Sequence, residues 1–238
     1  MIQTAQRRNV QDRVIPLAGL GLVTVLLPLL TFHITYLVSA SQGYVDWCVP
    51  YWDACTSISA TGRDGAGYFI FKGLMLPAIT LQVLFWAINH QWLKALGYPR
   101  GKGVGWIGLA AGGCLLPYVM SLGHAGDAFE LARRVGTVGN VGLTGIVQIL
   151  LGAVLWRSSY PLLIRGGRRL LMLSGFTLGV AMVSLILQSV LPEVHWDSIK
   201  YAFDWNLIIL LNIHGIGVVL LWWKSGLGVT LPRTMNLE

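Results

Sequence analysis

Six long apolar runs, separated by short polar segments, constrain the fold of this chain more than any other feature. Each run holds about 20 residues with few charges, the length that an α-helix needs to cross the hydrocarbon core of a bilayer. Hydrophobic residues occupy 55% of the 238 positions, and charged residues only 11%. The sequence therefore predicts an all-α, polytopic membrane protein, a six-helix bundle forming a single membrane domain (1–238), with spans near 14–40, 67–93, 104–122, 135–156, 170–191 and 205–223.

The basic residues are concentrated on one side of these spans. The N-terminal segment, the turns at 94–102 and 157–169 and the C-terminal tail hold twelve of the seventeen Lys and Arg residues but only two of the ten acids. By the positive-inside rule, we expect both termini to lie in the cytoplasm. The membrane is then the plasma membrane, a bacterial inner membrane or an endomembrane. The net charge of +7 then reflects topology and contact with anionic lipid headgroups, and we expect no nucleic-acid partner.

The loop between the first two spans, residues 41–66, differs from every other connection in its composition. It combines tryptophan and tyrosine rings with carboxylates, a proline and two cysteines. Cys48 and Cys55 are separated by six residues, and the predicted topology places them outside the cytoplasm, where disulfides persist. We therefore expect a Cys48–Cys55 disulfide that closes this outer loop, whereas Cys114 lies inside the third span as a packing residue.

Glycines recur at spacings of three and four along the third, fourth and fifth spans. Such spacing places small residues on one helix stripe, where neighbouring backbones approach closely. We expect these glycines to pack helices inside the bundle, with homodimerisation as the alternative. The residues are Gly108, Gly112, Gly136, Gly139, Gly142, Gly145, Gly175 and Gly179.

Four titratable residues are candidates for chemistry. His124 and Asp127 are three residues apart and would share a face of a continuing helix, and His195 lies in the last outer loop. His214 falls near the middle of the sixth span, where an ionisable group is either hydrogen-bonded between helices or functional. A zinc hydrolase would require several of these side chains to converge. No His-x-x-x-His or His-Glu-x-x-His pattern occurs, so we expect no metal and no cofactor.

Parts of the chain resemble a six-span membrane-protein family. The residues that carry the resemblance are Cys48-Val-Pro-Tyr-Trp-Asp-Ala-Cys-Thr-Ser-Ile-Ser-Ala-Thr-Gly62, Tyr68-Phe-Ile-Phe71, Ser121–Glu130 and Phe203-Asp-Trp205, where the family often has Glu-Trp. The family includes the damage-regulated autophagy modulators, the FGF-receptor-activating protein and proteins that remodel GPI-anchor lipids. The resemblance implies a six-helix protein that acts on, or is regulated by, lipids and lipid-anchored proteins.

The first functional hypothesis is therefore non-catalytic: the outer face binds or organises membrane lipids or a membrane or lipid-anchored protein. The alternative is a lipid-modifying hydrolase or acyltransferase that uses His124 and Asp127 with His195 or His214. A small-solute transporter with His214 as a proton relay is a third possibility. For the binding function, the expected contact residues are Asp46, Trp47, Trp52, Asp53, Ser57, Ser59, Asp204 and Asn206.

Overall fold

The computed structural model describes residues 13–98 and 101–231. The described part contains six helices long and apolar enough to cross a membrane, which confirms the predicted fold class. The helices are α1 (Ala18–Ser41), α2 (Pro50–Asp53), α3 (Ile58–Thr61), α4 (Gly65–Ala95), α5 (Lys102–Ser121), α6 (Asp127–Trp156), α7 (Pro161–Val190), α8 (Glu193–Asp197) and α9 (Lys200–Lys224); all but α2, α3 and α8 are the membrane helices.

Three membrane helices extend well beyond the apolar runs that predict them. α6 begins at Asp127 rather than near 135, α7 at Pro161 rather than near 170, and α9 at Lys200 rather than near 205. Acidic residues in the first turn favour the N-terminus of α6, and a proline at the first helical position favours that of α7. Each added segment contains charged residues, among them Arg165, Arg168 and Arg169 of α7, so hydropathy marks only the uncharged part of each helix.

A short antiparallel sheet joins the two ends of the described chain. β1 (Arg13–Pro16) pairs with β2 (Gly228–Leu231), and Arg13 lies opposite Leu231. The predicted first span included part of β1, whose valine and isoleucine suit an extended strand equally well. The sheet places residues 13–16 and 228–231 together at one end of the bundle, the basic end, where the α4–α5 and α6–α7 turns also lie. Residues 1–12 and 232–238 lie outside the described residues, so cytoplasmic termini stay a prediction.

The membrane helices form a closed ring in which chain neighbours pack against each other and α9 returns to α1. One buried cluster, which includes Trp86 and Trp222, fills the half of the bundle nearer the basic end. A second, which includes Phe71, Tyr118 and Trp205, fills the opposite half. Residues 42–64, between α1 and α4, cover that opposite half; we call them the lid, and we call this end of the bundle the lid end.

Only half of the eight stripe glycines lie at helix contacts. A Cβ at Gly136 would lie 2.7 Å from the Cys114 carbonyl oxygen, and one at Gly139 would lie 2.8 Å from the Cys114 sulfur, so α6 approaches α5 closely. Gly108 and Gly112 likewise lie against side chains of α4. In contrast, a Cβ at Gly142, Gly145, Gly175 or Gly179 would meet no described atom within 4 Å. The expectation of bundle packing is wrong for these four.

Two glycines of α6 provide a matched test of this packing. Gly136→Ala forces its new methyl group against the α5 main chain, which cannot rotate away, so we expect the free energy of unfolding to fall by about 1–3 kcal/mol. Gly142→Ala meets open space and removes the entropic cost of a helical glycine, so it should be neutral or stabilising by about 0.5–1 kcal/mol. Unfolding in detergent measures both, and equal stabilities would contradict the close α5–α6 contact.

Candidate functional site

The lid is closed by a disulfide. Cys48 and Cys55 are bonded, with their Cα atoms 6.5 Å apart, which confirms the pairing predicted from the sequence. The ring that they close contains α2, and Ala54 beside Cys55 adopts a left-handed conformation with a φ of 50°. The disulfide therefore fixes the short helix of the lid in one orientation.

Helix α1 holds the disulfide through one tyrosine. The hydroxyl of Tyr36 accepts a hydrogen bond from the Cys48 main-chain N–H at 2.8 Å and donates one to the Cys48 carbonyl oxygen at 2.7 Å. Tyr36 is buried, and its ring also packs edge-on against Trp47, with 6.3 Å between ring centroids. The backbone at Cys48 is thus satisfied by a membrane helix rather than by water.

Helix α9 holds the other side of the lid. The indole N–H of Trp205, which is only 2% exposed, donates to the Thr56 carbonyl oxygen at 2.9 Å. The side-chain amide of Asn206 donates to the Tyr51 carbonyl oxygen at 3.1 Å. These two consecutive residues of α9 therefore anchor α2 inside the disulfide-closed ring and the residue that follows Cys55.

Between α1 and α9, Tyr51 of α2 contacts His33. The Tyr51 hydroxyl and His33 Nε2 are 2.5 Å apart, and His33 Nδ1 lies 2.7 Å from the Leu29 carbonyl oxygen. Because a carbonyl oxygen only accepts, Nδ1 carries the hydrogen, which leaves Nε2 of the neutral ring to accept from Tyr51. Burial raises the pKa of the Tyr51 hydroxyl, which keeps it protonated as the donor. Trp205 packs edge-on against both rings.

Sequence reasoning did not select His33, Tyr36 or Tyr51 as site residues. The available signal was the spacing of His33 and Tyr36, three apart near the end of the first span that leads into the aromatic loop. Nothing in the sequence showed that residues 50–53 would form a helix inserted beside them. Their pairing depends on that tertiary arrangement.

The predicted contact residues of the lid divide into two groups. Trp47 and Trp52 are 65% and 80% exposed, and Asp46 is exposed beside them. In contrast, Asp53 accepts from the Val49 main-chain N–H at 2.7 Å and so fixes the start of α2. Ser57 caps α3 by accepting from the Ala60 N–H, and Ser59 hydrogen-bonds Ser57 and Arg63. The first group is free to contact other molecules, whereas the second maintains the lid.

The four candidate catalytic residues lie in different environments. His124 is exposed before α6 and its ring lies against Phe129, while Asp127 is the exposed first residue of that helix. His195 is exposed in α8, and His214 is fully buried halfway along α9. Within residues 13–98 and 101–231, no three His, Cys, Asp or Glu side chains are grouped to hold a metal.

His214 belongs to a polar region inside the bundle. Gln148 of α6 donates to the Leu211 carbonyl oxygen of α9 at 3.0 Å, one turn before His214. Among the described residues, both His214 ring nitrogens, the Gln148 side-chain oxygen and the Ser174 hydroxyl are buried without a hydrogen-bond partner. Such groups destabilise the folded protein, since the apolar environment of a membrane supplies no hydrogen-bond partner for them.

Comparison of the chain with protein-family models, curated proteins and solved structures finds no match.

The unpartnered imidazole gives a stability prediction. His214→Leu replaces two unsatisfied nitrogens with apolar atoms of similar bulk, so we expect the free energy of unfolding to rise by about 1–3 kcal/mol. As the control, Asn89→Ala should lower it by a similar amount, because Asn89 accepts from Trp222 Nε1 and its loss leaves that buried N–H unpaired. Denaturation in detergent measures both. Destabilisation by His214→Leu would show that a bound group satisfies the ring.

The disulfide gives a second prediction. Thiol labelling of the denatured, unreduced protein should modify Cys114 alone, and reduction should expose two more thiols. Closure of so short a ring stabilises the fold by about 2–3 kcal/mol, so the reduced protein should unfold correspondingly more easily. Labelling of all three cysteines before reduction would contradict the bridge.

Proposed function

We propose that this integral membrane protein binds phospholipid at its lid end and acts as a non-catalytic lipid-binding or membrane-organising protein. The lid end then faces away from the cytoplasm, as the charge distribution predicts. One observation carries the proposal: a laterally open apolar cavity between two helices at this end.

The cavity lies beside the second half of α7, which is less buried than the first half. The residues of α7 that are buried lie between Leu163 and Thr177, and none from 178 to 190 is buried. Between this half of α7 and the start of α9 lies a cavity of about 310 Å³, lined by Phe176, Gly179, Val180, Val183 and Phe203. Its apolar walls and lateral opening fit a lipid acyl chain.

Charged groups of both signs lie near the Phe203 end of this cavity. Lys200 Nζ donates to Asp197 Oδ1 at 2.6 Å, and Asp204 is one helical turn after Lys200, so both project from one side of α9. A cation and carboxylates in one place complement the phosphate and the amine of a zwitterionic headgroup. The expected contact residue Asp204 therefore fits a headgroup role, while Asn206 anchors the lid.

The lid supplies a second contact surface at the same end. Exposed tryptophan rings are favoured at the boundary between hydrocarbon and headgroups, and Trp47 and Trp52 are held there by the disulfide and by α1 and α9. A rigid aromatic surface of this kind suits lipid headgroups or a membrane or lipid-anchored protein. The resemblance to lipid-remodelling six-span proteins supports the same assignment.

Filling the cavity tests the proposal. A Cβ at Gly179 would meet no described atom within 4 Å, and Gly179 lines the cavity, so Gly179→Trp adds its indole there. We expect this variant to lower the phospholipid retained on purification by at least roughly fivefold, since about 1 kcal/mol of contact is lost. Gly113→Trp on the exposed face of α5 adds the same bulk elsewhere and is the matched control. Lipid mass spectrometry of the purified variants measures the retained lipid.

The outcomes separate binding from catalysis. Reduced phosphatidylethanolamine or phosphatidylcholine in Gly179→Trp alone supports the binding site. Equal retention in both variants and the wild type contradicts it. Steady conversion of added phospholipid to a lyso- or re-acylated product would favour the lipid-modifying enzyme instead, and His124→Ala or His195→Ala should then abolish turnover.

A further inference from the structure

A second cavity lies at the basic end of the bundle, on the same helix but remote from the lid. Its volume is about 430 Å³, and it is lined by Trp156, the last residue of α6, and by Arg168, Leu171 and Met172 of α7. Trp156, Arg168 and Met172 are all exposed, so the cavity opens toward the surroundings of the bundle. Its lining is apolar apart from a single guanidinium group.

The two helices that form this cavity meet at glycines. A Cβ at Gly152 of α6 would lie 3.1 Å from the main-chain nitrogen of Leu171, and Gly167 of α7 packs directly against the main chain of Leu155 and Trp156. This close contact fixes the main chain at Trp156 relative to the start of α7, which carries Arg168. The cavity is therefore formed by a fixed helix contact rather than by mobile loops.

The described charged residues that lie near Arg168 in the chain are all basic. Arg157, Arg165 and Arg169 are exposed near Arg168 in the chain, and within the described residues none of the four arginines forms an ion pair with a carboxylate. The first turn of α7 also contains no acidic residue. An amphiphile that places an anion against Arg168 and an alkyl chain against Leu171 and Met172 would satisfy both parts of the cavity.

We propose that this cavity binds an anionic phospholipid of the bilayer. The phosphate contacts the Arg168 guanidinium, which presents several donors to phosphate oxygens, while one acyl chain follows Leu171 and Met172 beside the Trp156 ring. Basic pockets between membrane helices favour anionic headgroups in this way. A free anion would leave the apolar side chains of Leu171 and Met172 without a contact. A zwitterionic lipid would bring its positively charged amine close to the surrounding arginines.

Native mass spectrometry of the full chain tests the site, with phosphatidylglycerol and phosphatidylcholine offered in equal amounts. We expect preferential retention of phosphatidylglycerol, and a roughly fivefold weaker retention in Arg168→Gln, the effect of about one basic residue at an anionic surface. Lys224→Gln removes one charge from α9 at the same end and should retain phosphatidylglycerol as the wild type does. Met172→Trp, which fills the cavity at constant charge, should weaken retention as Arg168→Gln does.

Two results would overturn the proposal. Equal losses in Arg168→Gln and Lys224→Gln would show attraction to the whole basic end rather than binding in the cavity. Unchanged retention in Met172→Trp would show that no acyl chain lies there. Circular dichroism of each variant confirms that the helices are intact, and Gly179→Trp should leave phosphatidylglycerol retention unchanged, which keeps this site separate from the one at the lid end.

Discussion

The lid depends on hydrogen bonds donated and accepted by membrane helices. Residues 42–64 include irregular backbone at the end of an apolar bundle, and such backbone is costly unless its polar groups find partners. Tyr36 satisfies both main-chain groups of Cys48, and Trp205 satisfies the Thr56 carbonyl. The disulfide joins these two anchored arms, so the exposed face of the lid is rigid because its buried face is hydrogen-bonded.

The same requirement is met less completely deeper in the bundle. Asn140 donates to the Ala111 carbonyl and Asn89 accepts from Trp222, so these amides join neighbouring helices. His214 and Gln148 are buried at comparable depth yet retain unpartnered atoms among the described residues. A protein that needed only stability would gain from leucine at 214. The imidazole is therefore the largest of the buried groups without a described partner, and packing alone gives no physical reason for it.

Periodic and compositional signals predicted the features that depend on local sequence. Apolar length located the six membrane helices, and the separation of Cys48 and Cys55 together with predicted sidedness located the disulfide. The first residues of α6 and α7 were missed because charged side chains separate them from the apolar runs: Asp127 to Arg134 in α6, and Arg165 to Arg169 in α7. The pairing of His33 with Tyr51, and the low burial of α7 beyond Thr177, arise from packing between distant segments, which composition does not encode.

The two cavities are linked by the structural role of α7, the least buried of the six membrane helices. Near its start, contact between Gly167 and α6 holds α7 against the ring, and near its end no comparable contact exists. Cavities lie along α7 in both places: one beside the glycine contact, where Arg168 is exposed, and one along its less buried half, where Gly179 of α7 and Phe203 of α9 line the wall. Under the two proposals above, bilayer lipid fills both cavities, and the charges near each cavity select the headgroup. The arginines that lie near Arg168 in the chain form no ion pair among the described residues and would favour an anionic headgroup, whereas Lys200 with Asp197 and Asp204 would favour a zwitterionic one.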